Sequence, residues 1–353
     1  MPSGSESLLT LVRNEPRAVL ATLVDATGGS SKTLGATMWV GSSGRILGGV
    51  TIGGCVDARV LAAADDVLSS GRGRVLSIAL DDEEAWEMGL TCGGTVRVSV
   101  EPVHRARGET LDALAVHDVL PRLFAEGRRV VCAFALDGPG TRLLVADGEA
   151  VAGTLGDAEL DRNATRLAAD VAARGRAGIQ RVIGAAGARE VFFERLRPPC
   201  TLVVVGAGDL AVSLTRLAKE LGMRVVVADG RERYATRARF PSADEVHVAM
   251  PSEVVARFTH DASAAIVLVA HDYKYELPVL RTVLRSRVGY IGMLGSRKRG
   301  AAVKQMLGDE GYTDLELARV HTPIGVNIGG STSAEIALSI LSEVVAVRNE
   351  TLP

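Results

Sequence analysis

The pattern of apolar and polar positions is most regular in the second half of the chain. An apolar run over Leu202–Val205 leads into Gly206 and Gly208, an amphipathic stretch over Leu210–Leu221 follows, and a second apolar run ends at Asp229. A buried strand, a glycine turn, a helix, a strand and an acid in this order are typical of a Rossmann-type unit.

Each position of this turn has a predicted role. Gly206 permits the sharp turn, Gly208 lets a pyrophosphate approach the backbone, and Ala211 keeps helix and strand close. Asp229 lies where a carboxylate accepts hydrogen bonds from a ribose. The glycine pattern alone is a weak signal, so a dinucleotide site and a mere structural scaffold both stay open.

Strands and helices continue to alternate after Asp229. Apolar runs predict strands at 245–249, 264–270 and 288–294. Amphipathic stretches predict helices at 276–286, 298–307 and 333–347. This alternation implies an α/β domain with a doubly wound parallel sheet, whose ligands lie outside the carboxyl ends of the strands. The segments expected along that rim are Gly206–Asp209, Asp229, His271–Asp272 and Gly295–Arg299.

Shorter strands and hairpin signals characterise the beginning of the chain. Strands are predicted at 17–27, 37–40, 45–50, 75–80 and 95–103, and helices at 5–14 and 56–70. We therefore expect an N-terminal α+β domain over residues 1–105. The middle segment, 106–197, carries no recognisable motif. It is predicted to contain helices at 109–126 and 157–174 and strands at 129–136, 141–146 and 191–196, and to pack with the N-terminal domain. The Rossmann-like domain then spans 198–353.

Composition and charge narrow the classes of function. The 353 residues carry a net charge of −2, so nothing points to nucleic acid or to an anionic membrane surface. We see no signal peptide and no apolar run of the roughly 18–20 residues that a bilayer requires, and we expect a cytoplasmic protein. The four cysteines include no C-x-x-C pair, so reduced thiols are expected rather than a structural zinc site.

Two cysteines stand in matching glycine-rich surroundings, in the sequences Gly53-Gly54-Cys55 and Cys92-Gly93-Gly94. Glycine permits a close approach by a ligand or another backbone segment. Cys55 also falls at the start of a predicted helix, where the helix dipole favours a thiolate. The alternatives are that both thiols are small buried apolar groups, or that they form a redox pair.

Two further candidate sites lie in the Rossmann-like half. The segment Gly295–Arg299 predicts an anion site, because Ser296 is a candidate N-cap and the three cations Arg297, Lys298 and Arg299 follow. A solvated basic turn is the alternative. His271 and Asp272 could do acid–base work or contact a ligand, or could simply be hydrogen-bonded loop residues.

Seven motifs, in this order, give the chain a family resemblance. They are GGSSKTLGATM, GGVTIGGCVDARV, GLTCGGTVRVSVEP, VVVGAGDLA, VAHDYKYELPVL, YIGMLGSRKR and TPIGVNIGGSTSAEIALSIL. With them the chain resembles the XdhC/CoxI family of maturation factors for molybdenum hydroxylases, over roughly 10–103 and 200–347. The paired GGC and CGG motifs make the resemblance specific.

The resemblance implies a function and a set of partners. A member of this family binds and protects the molybdenum cofactor, in its molybdopterin or dinucleotide form. It promotes sulfuration of the cofactor with a cysteine desulfurase and helps insertion into the apo-form of a xanthine dehydrogenase or CO dehydrogenase type of hydroxylase. By analogy, a homodimer is expected.

The resemblance also suggests roles for single residues. Cys55, supported by Cys92, would approach the molybdenum or its terminal sulfur, beside Gly53 and Gly54. The phosphates of the cofactor would lie at two helix starts. The residues assigned to the phosphates are Gly206, Gly208, Ser296, Arg297, Lys298 and Arg299. The neighbouring residues Asp209, Asp229 and Gly295 are assigned to cofactor binding more generally.

One position departs from the family pattern, since Asp209 stands where many members are expected to have histidine. An acid there would repel a phosphate.

A second hypothesis is an NAD(P)-dependent oxidoreductase with His271 as the acid–base group. Asp229 favours NAD, and the neighbouring Arg231 and Arg233 weaken that preference over NADP. A third hypothesis is that the Rossmann unit is only a scaffold on which partner proteins dock.

Overall fold

The computed structural model describes residues 4–28, 34–49, 51, 54–80, 94–103, 110–175 and 177–349. The chain divides into two compact units, one over Glu6–Arg197 and the other from Pro198 onward. They are called the first unit and the second unit below. No helix within the described ranges is both long and apolar enough to cross a membrane.

Two five-stranded antiparallel sheets form the framework of the first unit. The first sheet has the order β3-β2-β1-β5-β4 and consists of β1 (Ala18–Gly28), β2 (Thr37–Gly41), β3 (Ile46–Gly49), β4 (Arg74–Leu80) and β5 (Gly94–Val103). The second has the order β8-β7-β6-β10-β9 and consists of β6 (Val130–Ala135), β7 (Leu143–Ala146), β8 (Glu149–Gly153), β9 (Gly178–Gly184) and β10 (Gly187–Leu196). The helices are α1 (Gly4–Asn14), α2 (Gly54–Ser70), α3 (Val116–Ala125) and α4 (Ala158–Arg174).

Packing and charge join the two sheets of the first unit. Val24 of β1 shares an apolar cluster with Phe134 of β6 and Phe192 of β10. Arg142 pairs with Glu101 of β5, and both side chains are almost fully buried. The boundary expected near residue 105 therefore separates two sheets that belong to one compact unit.

The second unit contains a six-stranded parallel sheet. Its strands are β11 (Thr201–Val205), β12 (Arg224–Asp229), β13 (Glu245–Val248), β14 (Ala264–Leu268), β15 (Tyr290–Met293) and β16 (Val320–His321). Their order, β13-β12-β11-β14-β15-β16, is the 3-2-1-4-5-6 order of a Rossmann sheet. The crossover between β11 and β14 is the switch point at which such sheets bind ligands.

Helices cover both faces of this sheet, which is why its strands read as continuous apolar runs. Leu202 and Val204 pack into one apolar cluster, whereas Val203 and Val205 pack into another. The helices are α5 (Asp209–Glu220), α6 (Pro251–Val255), α7 (Tyr273–Val283), α8 (Arg297–Asp309), α9 (Asp314–Ala318) and α10 (Ser333–Arg348). The predicted α/β class, with a doubly wound C-terminal sheet and an N-terminal α+β domain, is confirmed.

Some predicted element bounds were wrong. The helix expected at 109–126 begins only at Val116, because the Asp112 carboxylate accepts hydrogen bonds from the amides of Leu114 and Ala115 and holds a turn there. Strands β8 and β9 were missed, since most of their residues are exposed or half-buried and the apolar alternation is weak.

Candidate functional site

The carboxyl ends of four parallel strands meet at one edge of the sheet in the second unit. Val205 of β11 is paired with Ala228 of β12 and with Leu268 of β14, and Leu268 is paired in turn with Met293 of β15. The predicted rim segments follow directly after these residues. The structure therefore brings the glycine turn, Asp229, His271 and the Gly295 segment to the same edge.

Gly206 lies close to the neighbouring backbone at this edge. Its φ of 106° lies in the left-handed region, and its amide donates to the Ala228 carbonyl over 2.9 Å. A Cβ atom at this position would lie 2.8 Å from the Cα of Ala270. Backbone conformation and close packing both require glycine here.

Gly208 stands at the N-cap of α5 and differs from Gly206 in its surroundings. Apart from its chain neighbours, no atom of the described residues lies within 4 Å of a Cβ built on Gly208, which leaves open space there beside the first turn of α5. The expected approach of a ligand phosphate to this backbone remains a prediction, and the open space accommodates it.

Asp209, the first residue of α5, is not an isolated negative charge. Its carboxylate accepts a hydrogen bond from Nη2 of Arg239 over 2.9 Å, and Nη1 of Arg239 donates to the Ala207 carbonyl over 2.6 Å. The Asp209 side chain is 90% exposed. The cation compensates the charge that we expected to repel a phosphate, and it ties the glycine turn to the segment after β12.

Asp229, at the end of β12, is fully buried and heavily hydrogen-bonded. It accepts from the Ala207 amide over 2.8 Å and makes three bonds to the backbone and side chain of Arg231. Burial alone would raise the pKa of this carboxyl. The bonds from Arg231 and Ala207 outweigh burial and leave the pKa below its ordinary value.

His271 and Asp272 have different surroundings although they are neighbours. Asp272 is the N-cap of α7, where its carboxylate accepts the amide of Lys274 over 2.8 Å. His271 is exposed and has a φ of 53°, a left-handed conformation that is uncommon outside glycine. Asp272 thus has a structural task, and the acid–base role predicted for the pair stays a prediction.

Ser296 is the N-cap of α8, as the sequence predicts, and its hydroxyl accepts the amide of Arg299 over 3.2 Å. Arg299 itself folds back onto Glu276, a fully buried residue of α7. Arg297 and Lys298 are exposed. The basic turn therefore presents two cations rather than the three that follow Ser296 in the sequence.

The paired cysteine motifs lie largely outside the described residues. Gly53 and Cys92 are not among them, and the backbone of Cys55 is described but its side chain is not. Helix α2 begins at Gly54, which places Cys55 in its first turn, as expected. Within the same turn Asp57 accepts hydrogen bonds from the amide and hydroxyl of Thr51, which braces the helix start.

The other two cysteines are buried free thiols. Burial raises the pKa of Cys132 to about 12 and that of Cys200 to about 11. Both thiols are therefore protonated near neutral pH and poorly nucleophilic. Across the described part of the chain, no group of three or more histidine, cysteine or acidic side chains could hold a metal ion.

A polar cluster around Glu343 was missed from the sequence. The Glu343 carboxylate accepts hydrogen bonds from the Tyr290 hydroxyl and from the Gly325 amide, and lies 3.2 Å from Nδ1 of His321. The rings of Tyr290 and His321 stack with centroids 4.8 Å apart. The available signal was the position of Glu343 between Leu341 and Val344, which lie on the buried face of the helix.

Comparison with known proteins finds relatives over both units. Residues 11–79 match the model of the XdhC and CoxI family, and residues 202–344 match that of the XdhC Rossmann domain. A protein of Bacillus subtilis (strain 168) described as a probable xanthine dehydrogenase subunit is 27% identical over 347 residues, which are 96% of this chain and 95% of that protein. The molybdenum cofactor insertion chaperone PaoD of Escherichia coli (strain K12) is 28% identical over 332 residues, 94% of this chain and 83% of that protein.

The fold also matches a solved structure. A crystal structure described as a xanthine dehydrogenase from Bacillus halodurans superposes with a TM-score of 0.76 at 22% identity, covering 99% of this chain and 97% of that one. The two family models together cover more than half of the residues. They occur in the order of the motifs, and the second coincides with the six-stranded parallel sheet, so the chain belongs to the XdhC/CoxI family.

Proposed function

We propose that this protein is a molybdenum cofactor insertion chaperone. It binds and protects the cofactor, aids its sulfuration together with a cysteine desulfurase, and helps to insert it into the apo-form of a molybdenum hydroxylase. The observation that carries the proposal is the similarity to the insertion chaperone PaoD over 94% of this chain, in a protein of the XdhC/CoxI family.

The carboxyl edge of the parallel sheet supports binding of the phosphate end of the cofactor. Among the described residues no side chain at the N-cap of α5 bonds the backbone amides of the first turn, which lie beside the open space at Gly208. The start of α8 adds the exposed cations Arg297 and Lys298. A phosphate or a pyrophosphate is the ligand group that such helix starts bind best.

A thiol is the side chain best suited to contact the molybdenum end of the cofactor. The cofactor supplies a molybdenum atom held by a dithiolene, and a soft thiolate suits that metal. We assign this contact to Cys55, with Cys92 in support. The first turn of α2, where the backbone of Cys55 lies, favours a negative charge because of the helix dipole.

Retention of molybdenum tests the assignment. Molybdenum cofactor is added to the wild type, to Cys55→Ala and to a thiol-deletion control, Cys200→Ala, and bound molybdenum is measured after gel filtration. We expect retention by the wild type and the control and loss in Cys55→Ala. Equal retention in all three removes Cys55 from the role, and no retention by the wild type contradicts the chaperone function.

The partners follow from the same proposal. We expect this protein to act in the cytoplasm as a homodimer and to contact the apo-hydroxylase and the cysteine desulfurase directly. Light scattering gives the oligomeric state, and co-purification with each tagged partner tests the contacts. A protein that stays monomeric and captures neither partner would contradict these expectations.

An NAD(P)-dependent oxidoreductase is the second candidate function. Its support is the Rossmann strand order together with the glycine turn, and its weakness is that Asp272 caps a helix and the ring of His271 makes no hydrogen bond to any described residue. Calorimetric titration with NAD, followed by an assay for NADH or NADPH formation, separates the two functions. Absence of heat at millimolar NAD and of any reduced product argues against the oxidoreductase.

A further inference from the structure

The acid at the end of β12 has no acceptor capacity left for a ribose. Asp229 Oδ1 accepts the amide and Nε of Arg231, each over 2.9 Å. Its Oδ2 accepts the Ala207 amide over 2.8 Å and Nη2 of Arg231 over 2.7 Å. A carboxylate has about four lone-pair sites, and these four donors occupy them. A ribose diol would have to displace Arg231 from its ion pair with this buried carboxylate.

Arg231 is held in place while one edge of its guanidinium stays available. Nε and Nη2 bind Asp229, and the guanidinium carbon lies 4.0 Å from the centre of the Tyr234 ring. Nη1 donates no hydrogen bond to any residue in the described ranges, and the side chain is 47% exposed. This residue therefore presents a fixed pair of N–H donors just beyond the carboxyl end of β12.

Two acids at this edge are already paired with arginines, and the exposed Glu232 next to Arg231 is balanced by the exposed Arg233. Asp229 is buried and paired, and the exposed Asp209 is paired with Arg239. The guanidinium of Arg239 also lies 5.4 Å from the Tyr234 ring, so two cations flank this half-exposed tyrosine. Arg233, two residues further along the segment, is exposed as well.

We infer that Arg231 makes this edge selective for a phosphate monoester. Where a Rossmann unit specific for NAD presents a free carboxylate to a ribose diol, this chain presents guanidinium N–H groups, and a phosphate oxygen is their best acceptor. Two ligands carry that group, namely NADP on its 2′-oxygen and molybdopterin at its terminal phosphate. Only the molybdopterin source rests on the proposed function.

The test compares ligands that differ in one phosphate. The full chain is titrated with NADP and with NAD by calorimetry, and its retention of molybdopterin-form cofactor is measured in parallel. If NADP is the source, we expect it to bind the wild type at least about tenfold more tightly than NAD, the worth of one charged hydrogen bond. In Arg231→Ala the preference is lost, because Asp229 is freed for the ribose diol.

Controls keep the inference falsifiable. Arg233→Ala removes a neighbouring exposed cation and leaves the ratio of the two affinities unchanged. Arg231→Lys keeps the charge but lacks the paired N–H groups of the guanidinium, so we expect it to lose the preference for NADP as well. It replaces Arg231→Ala in the test if the alanine variant fails to fold. If molybdopterin is the source, the wild type shows no NADP preference, and cofactor retention falls about tenfold in both Arg231 variants but not in Arg233→Ala.

The inference is overturned if the wild type neither prefers NADP nor depends on Arg231 for retention, or if the Arg231 variants keep the NADP preference. A wild type that retains no molybdenum but prefers NADP through Arg231 refutes the chaperone function and leaves this inference standing.

Discussion

A Cβ atom placed on Gly206 would lie 2.8 Å from the Cα of Ala270, at the point where β11 and β14 diverge. The φ of 106° adds conformational strain for any other residue. We expect Gly206→Ala to lower the free energy of unfolding by about 3 kcal/mol, because backbone and not a flexible side chain must move. The change in the free energy of unfolding is measured by urea denaturation.

Gly208→Ala is the matched control for that substitution. Gly208 has a φ of −74°, and in the part of the structure that is described only its chain neighbours come within 4 Å of its Cβ position. We expect its stability to stay within about 0.5 kcal/mol of the wild type. The added methyl group occupies the space proposed for a ligand phosphate, so cofactor retention should fall while the fold persists. Equal destabilisation by both substitutions would contradict this account of the turn.

The ion pair between Glu276 and Arg299 ties α7 to α8. The Glu276 side chain is fully buried and that of Arg299 is 18% exposed. Glu276→Ala strands a largely desolvated cation, and we expect it to cost about 3 kcal/mol in unfolding free energy. Glu310→Ala is the comparison, because its pair with Arg281 is solvent-exposed and should be worth at most about 1 kcal/mol. Both free energies of unfolding are measured by chemical denaturation. If the two variants lose similar amounts, burial of the ion pair does not determine its contribution.

Because of Glu194, on β10, we expect the free energy of unfolding to fall as the pH rises. Burial raises the pKa of this carboxyl from 4.5 to about 7, although Arg142 opposes the shift. Below pH 4.5 the group is protonated in both folded and unfolded chains. Between about pH 4.5 and 7 only the unfolded chain ionises, so the folded state loses up to about 1.4 kcal/mol per pH unit.

Glu194→Gln should abolish that loss, so that the variant gains stability relative to the wild type between pH 5 and 8 by denaturant unfolding. Glu190→Gln on the same strand is the control of opposite sign. The hydrogen bond from Arg97 lowers the pKa of Glu190, so its contribution is present at neutral pH and is lost on acidification. A Glu194→Gln difference that does not vary with pH would refute the assignment.

Because two of the four thiols are buried, we expect the cysteines to react with iodoacetamide in a definite order. Cys132 and Cys200, with pKa values of about 12 and about 11, should resist iodoacetamide in the native protein at pH 7.5. Mass spectrometry of peptides locates the label, and unfolding in urea should expose all four cysteines. Under the proposed role Cys55 is labelled first in the native state. Labelling of Cys132 before Cys55 would count against a reactive Cys55.

The sequence predicted the fold of the second unit well because its signals are local. The run Leu202–Val205 is apolar at every position since both faces of the strand are covered, and the glycine turn is recognised from two glycines separated by one residue. The doubly wound parallel sheet followed from the repeated alternation of strands and helices.

Contacts between distant side chains could not be predicted in the same way. Nothing in the sequence shows that Arg231 fills the acceptor sites of Asp229, or that Glu343 gathers Tyr290 and His321. The late start of α3 likewise depends on one side chain, Asp112, which binds the amides that a longer helix would use. Such choices depend on rotamers and tertiary neighbours, which periodicity does not encode.

The buried pair of Glu101 and Arg142 limits where the chain can be cut. The match to the XdhC and CoxI family model ends at residue 79, and the motifs of the first unit end near residue 105, whereas Glu101 and Arg142 lie on either side of residue 105. A fragment of residues 1–105 would keep a buried carboxylate without its cation and expose the apolar face that Val24 shares with Phe134 and Phe192. Truncation after Arg197 leaves both partners in place. We therefore expect the fragment that ends at Arg197 to fold on its own and the fragment of residues 1–105 not to.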